Sequence, residues 1–124
     1  MNRALTDRER AVLYTMIDNA VGPSGDLGRI TAEARSRYRA QIPQTQVVGE
    51  CDCGGCVALD LAVVGVPTTN ARGHVLQARV GSADLLVYVD RGRLSSLEFF
   101  DDEGDDAPVI GLPDPAKIIF APNR

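Results

Sequence analysis

A chain of 124 residues, 44% hydrophobic and 24% charged, has the makeup of one folded domain that buries a core without disulfide or metal staples. No apolar run is long enough to cross a bilayer, and the first ten residues lack the apolar segment of a secretory signal. The three clustered cysteines do not make a secreted disulfide framework, so a single membrane-free cytoplasmic domain spanning 1–124 is expected.

The net charge of −4 is unevenly spread. Arg29, Arg35, Arg37 and Arg39 face only Glu33 early in the chain, whereas Glu98, Asp101, Asp102, Glu103, Asp105 and Asp106 fall in one run without a base. Such a run repels nucleic acid and attracts basic partners.

The first element is a helix. Thr6-Asp7-Arg8-Glu9 fits a capping box, in which the threonine hydroxyl and the glutamate each satisfy a backbone N–H. Val12, Leu13, Met16, Ile17 and Ala20 recur at helical spacing until Gly22-Pro23 stops the pattern. A shorter helix is expected from Thr31 to about Gln41, with Ala34, Tyr38 and Ile42 as its apolar stripe, its arginines facing water, and Pro43 ending it. The intervening Gly22–Gly28 stretch has no preceding strand and no following Gly-Lys-Ser/Thr, so it reads as a linker rather than a phosphate cradle.

From Thr45 the period changes to two. Strands are expected at Gln46–Asp52, Cys56–Val64, His74–Val80, Leu85–Asp90 and Leu94–Phe100. Gly54-Gly55 and Arg91-Gly92 sit where tight hairpin turns are needed. Leu85 to Val89 is apolar on both faces, which suggests a central strand covered on both sides. The expected architecture is α+β: two N-terminal helices packed on one face of a four- to five-stranded antiparallel meander sheet.

Cys51, Cys53 and Cys56 could bring three thiolates together, but a tetrahedral metal site wants a fourth ligand, and His74 and Asp52 are the only candidates. Strand register discriminates further. A two-residue Gly54-Gly55 turn would put Val57, Leu59 and Leu61 on the same face as Glu50 and Asp52. A three-residue Cys53-Gly54-Gly55 turn instead sends residues 47, 49, 51, 57, 59 and 61 one way, and Glu50, Asp52, Cys56 and Asp60 the other. The second register buries Cys51 away from Cys56, so no metal and no cofactor are expected. His74, opening a strand, reads as a surface or half-buried residue, and the acidic run lacks the ligand spacing of a calcium loop.

The segments Val47-Val48-Gly49-Glu50-Cys51-Asp52-Cys53-Gly54 and Leu86 to Phe99, with Gly111-Leu112-Pro113-Asp114-Pro115, resemble a set of small uncharacterised bacterial proteins. These have a Cys-x-Cys-Gly strand, a DGRLSELE-like hairpin and a terminal LPDP. The hairpin is also similar to segments of immunity proteins that neutralise bacterial toxins. The extra Gly55 before Cys56 departs from the tighter spacing of the first set, and neither resemblance supplies catalytic residues to transfer.

No assembled catalytic motif is present, so an enzyme is not expected. The leading expectation is a cytoplasmic immunity protein whose acidic residues Glu98, Asp101, Asp102, Glu103, Asp105 and Asp106 meet a basic toxin domain such as a nuclease. The alternatives are a small zinc- or redox-active cysteine domain and a structural protein that oligomerises through an open sheet edge.

Overall fold

The computed structural model describes residues 2–21, 30–50, 56–70, 73–101 and 111–120. Helix α1 (Asp7–Asn19) begins on a complete capping box. The Thr6 hydroxyl accepts the Glu9 N–H at 3.1 Å, and the Glu9 carboxylate accepts the Thr6 N–H at 2.8 Å. Its stripe of Val12, Leu13, Met16 and Ile17, with the capping Ala20, has no exposed surface. Helix α2 (Ala32–Gln41) starts at Thr31, whose hydroxyl accepts the Ala34 N–H at 3.0 Å. Its Ala34 and Tyr38, with Ile42 just beyond, are buried.

Arg37 and Arg39 are exposed, as the stripe implies, but Arg35 is half-buried and ties the helices together by donating to the Ile17 carbonyl at 2.8 Å. Arg39 adds an ion pair to Asp18 and lies 4.5 Å over the Tyr14 ring.

Six antiparallel strands form the sheet: β1 (Arg3–Ala4), β2 (Thr45–Glu50), β3 (Cys56–Val63), β4 (His74–Val80), β5 (Ala83–Asp90) and β6 (Arg93–Asp101). Their spatial order is β1-β2-β3-β6-β5-β4. The α+β class and the helix-then-strand order therefore stand, while the four- to five-stranded meander is corrected in two respects. A two-residue strand is added at the N-terminus, too short to carry any period. After β3 the chain also crosses to the far edge before folding back, so that β6 pairs with β3 rather than β4 doing so. Turn chemistry at Gly54-Gly55 and Arg91-Gly92 names the hairpins β2–β3 and β5–β6; which strand closes the centre depends on burial shared between distant segments.

Leu59, Leu97, Val87 and Leu76 form one buried row across β3, β6, β5 and β4, none more than 4% exposed. This row and its neighbours share one core with the helix stripes. Strand β5 is second from the edge. Leu85, Val87 and Val89 are buried on the helix side, while Leu86 and Tyr88 on the other side are only half-buried.

The β2–β3 pairing resolves the register question in an unexpected way. Val47 faces Leu61, as the three-residue turn requires, but Glu50 faces Leu59, as the two-residue turn requires. Val48 is an extra residue between them, a bulge that shifts the register midway. Glu50 therefore lies on the side of Leu59, not on the side of Asp60. The charge conflict that disfavoured this register is met by Arg3, which donates to both Glu50 and Glu9. The turn itself, with Cys51 and Cys53, lies outside the described residues, as does the Gly22–Gly28 linker.

Both sheet edges are short or covered. The β4 edge receives backbone from two directions: Gln77 N–H donates to Val21 O at 2.9 Å, and Arg79 and Ile119 exchange hydrogen bonds of 3.0 and 2.7 Å. The opposite edge is the two-residue β1.

The β5–β6 turn, Arg91-Gly92, has φ of 52° and 81°, the mirror-image turn that suits a twisted hairpin. Arginine gains nothing from that conformation, whereas asparagine tolerates it. The Arg91→Asn variant is expected to be more stable by about 0.5–1 kcal/mol in urea unfolding, since the Arg91 carbonyl that accepts the Thr69 N–H is unchanged.

Candidate functional site

Both helices lie against one face of the sheet, so the strands' alternate residues point to the other. Across β3, β6 and β5 the second face carries the pairs Ala58–Glu98–Leu86 and Asp60–Ser96–Tyr88, and Val75 of β4 continues it beside Tyr88. Among the described residues no helix covers this face, and Glu98, Leu86, Tyr88, Val75 and Phe100 on it are half-buried. Of the residues singled out for a basic partner, Glu98 is thus placed on a central strand of the open face. Asp101 ends β6. Asp102, Glu103, Asp105 and Asp106 lie outside the described residues.

A groove of about 400 Å³ opens on this face, lined by Val75, Tyr88, Asp90, Ser95, Ser96 and Glu98 among others. A second bulge shapes it. Tyr88 faces Ser96 and Val89 faces Leu94, which leaves Ser95 as an extra residue on β6. A bulge re-aims side chains, and here the two adjacent serines both line the groove rather than alternating between faces. Burial raises the Tyr88 phenol above its ordinary value, and the negative charge of Glu98 adds to the rise. Glu98 has no ion pair or hydrogen bond among the described residues.

His74 is half-buried at the start of β4, its ring 6.1 Å from that of Tyr38. That packing sets its ring against Tyr38 of α2, and the residue also lines the groove. Among the described residues no group of three or more metal-ligating side chains comes together. Cys51, Cys53 and Asp52 are outside that set, and Cys56 enters it only as the first backbone position of β3, opposite Phe100.

A second cavity, about 440 Å³, lies at the other end of the sheet between Thr6, Arg8, Glu9, Glu50, Val57 and Leu112. Its wall includes Glu9 and Glu50, the two partners of Arg3. Burial would raise the Glu9 carboxyl, but hydrogen bonds from Arg3 and from the Thr6 N–H outweigh it and hold the carboxyl below its ordinary value. Thr6, Glu9 and Glu50 of its lining are engaged with one another or with Arg3, while Arg8 adds a cation to it.

The sequence reasoning had selected Glu98 but not Tyr88, Ser95 or Ser96. Tyr88 was hidden in a run that looked apolar on both faces, although its phenol is the one polar group in Leu85–Val89. Compared with known proteins, the chain matches no family model, no curated protein and no solved structure.

Proposed function

We propose that this is a non-enzymatic, cytoplasmic binding protein that docks a basic protein partner on the open sheet face and the acidic run that continues β6. The reading extends to an immunity protein that occludes a bacterial toxin. The observation that carries it is Glu98: a half-buried carboxylate on a central strand, on the face no helix covers, without an ion pair among the described residues. A carboxylate so placed is partly desolvated before any partner arrives, and a basic surface would supply the missing counter-charge. The acids that follow in sequence, Asp101, Asp102, Glu103, Asp105 and Asp106, would speed encounter by attracting a basic cleft.

The test uses the product of the gene immediately upstream as candidate partner and replaces Asp101, Asp102, Asp105 and Asp106 by asparagine. Association is expected to slow about tenfold at low salt, with a smaller effect as salt shortens the screening length to about 8 Å. Dissociation should change much less than association, because long-range charge acts mainly on encounter. An association rate unaltered at low salt would move the interface away from the acidic run.

A further inference from the structure

We infer that the groove between Tyr88, Ser95, Ser96 and Glu98 is a receptor for a single arginine side chain of the partner. The inference rests on the binding reading above and deepens it, by naming the group that the open face recognises.

The groove's chemistry is one-sided. Among the described residues its charged members, Glu98 and Asp90, are both acids, the hydroxyls of Ser95, Ser96 and Tyr88 and the residue His74 complete its polar lining, and no lysine or arginine lines it. Hydroxyls and carboxylates all accept hydrogen bonds, so the lining is equipped for a ligand that is chiefly a donor and positively charged. An anion would meet Glu98 without a lysine or arginine among the described lining residues to offset it.

The aromatic ring decides between the two cationic side chains. A guanidinium is planar, stacks on an aromatic ring and offers several N–H donors in a rigid fork; an ammonium offers a compact, strongly hydrated point charge. Tyr88 faces Ser96 across β5–β6, and Glu98, two residues further along β6, pairs with Leu86. Ring, hydroxyl and carboxylate therefore lie within neighbouring positions of one face, the set that a fork of donors on a flat cation fills together. The Ser95 bulge brings a second hydroxyl to the groove where an unbulged strand would turn it to the helix side. Arginine is also enriched among residues that dominate protein interfaces, where it fills partly desolvated pockets of this kind.

The experiment titrates the uniformly ¹⁵N-labelled full chain with tetra-arginine and tetra-lysine peptides, both capped, at low and physiological salt. Tetra-arginine is expected to shift the amides of Val75, Tyr88, Ser95, Ser96 and Glu98 most strongly, and to bind several-fold tighter than tetra-lysine. Glu98→Gln should weaken it about tenfold, the loss of one charge-assisted pair. Tyr88→Leu should abolish the preference for arginine over lysine. Asp7→Asn removes the same unit of charge from an exposed site on α1 and should leave binding unchanged. An unchanged amide spectrum elsewhere certifies that each variant is folded.

Equal binding of the two peptides, or a Glu98→Gln effect no larger than that of Asp7→Asn, overturns the inference. Shifts centred on residues 101–106 also overturn it, while leaving the acidic-run reading in place. Groove-centred shifts with no effect of the Asp→Asn variant on partner association would do the reverse.

Discussion

Replacing Gln41 by leucine is expected to cost about 2–4 kcal/mol, a large share of the roughly 5–15 kcal/mol that holds a domain of this size together. Gln41 ends α2 and is 5% exposed. Its amide N–H donates to the Gly92 carbonyl at 2.6 Å, and its amide oxygen accepts the Leu94 N–H at 3.0 Å. One side chain thus clamps the helix layer to the β5–β6 turn and satisfies two backbone groups on either side of Arg93. Leucine matches the volume but leaves the Leu94 N–H buried without an acceptor, and an orphaned donor costs more than a hydrogen bond is worth.

The Gln41→Glu variant separates this account from simple packing. A carboxylate still accepts from Leu94, but its second oxygen faces the Gly92 carbonyl, acceptor against acceptor. Protonation restores a donor. The folded state therefore favours the protonated acid, and this variant should gain stability, relative to the parent, as pH falls through the carboxyl's raised folded value. Urea midpoints measured at pH 7 and pH 4 would show it. A pH-independent deficit would mean that the side chain acts through shape alone. Because the clamp's partners Gly92 and Leu94 sit three and one residues from Ser95, the leucine variant should also loosen the groove, which links the prediction to the binding reading.

Gln41 illustrates what a linear reading can and cannot reach. Its position at a helix end was legible, because Pro43 and the loss of apolar period both point there. Its partners were not, since they lie 51 and 53 residues away across a pairing that no local pattern announces. The same division holds for the sheet. His74–Val80 was read to the residue, because Gly73 and Gly81 bracket an apolar run, and the capping box at Thr6 is complete as written. The strand order was not legible: whether β3 meets β4 or β6 depends on which apolar faces share a core.

Bulges account for the remaining errors of placement. Alternation arguments assume one register per strand pair, and at Val48 the register changes midway, so each of the two turn models was right for half of β2. The site suffered likewise. Glu98 could be found as the first of a run of six acids, whereas Ser95 and Ser96 look like neighbours on opposite faces until the bulge is known.

Removing Arg3 should expose the second consequence of that shifted register. The guanidinium donates to Glu9 at 2.9 and 2.8 Å and also holds Glu50, which pins the two-residue β1 across the end of β2 and onto α1. Arg3→Ala leaves Glu9 and Glu50 without their shared cation. Breaking a buried pair costs about 3–5 kcal/mol and an exposed one under about 1. Arg3 is 36% exposed and Glu9 10%, so about 1–2 kcal/mol at pH 7 is expected.

The pH profile carries the sharper test. In the parent, the Glu9 carboxyl titrates below its ordinary value, so its stabilisation is complete above the unfolded value and fades as pH drops through the folded one. Without Arg3, burial, the largest single influence on that carboxyl, is opposed mainly by the Thr6 N–H. The carboxyl should then move upward, and the variant should lose less stability in acid than the parent does. Unfolding free energies of the two proteins should be furthest apart near neutrality and converge in acid, as pH falls through the lowered folded value of Glu9 in the parent. A gap that stays constant from pH 7 to pH 3 would show that Arg3 contributes through its methylene stem and the β1 backbone, not through its charge. Glu50→Gln, which removes a carboxylate that is 54% exposed and keeps an acceptor for Arg3, should cost less than half as much and leave the acid limb of the curve in place.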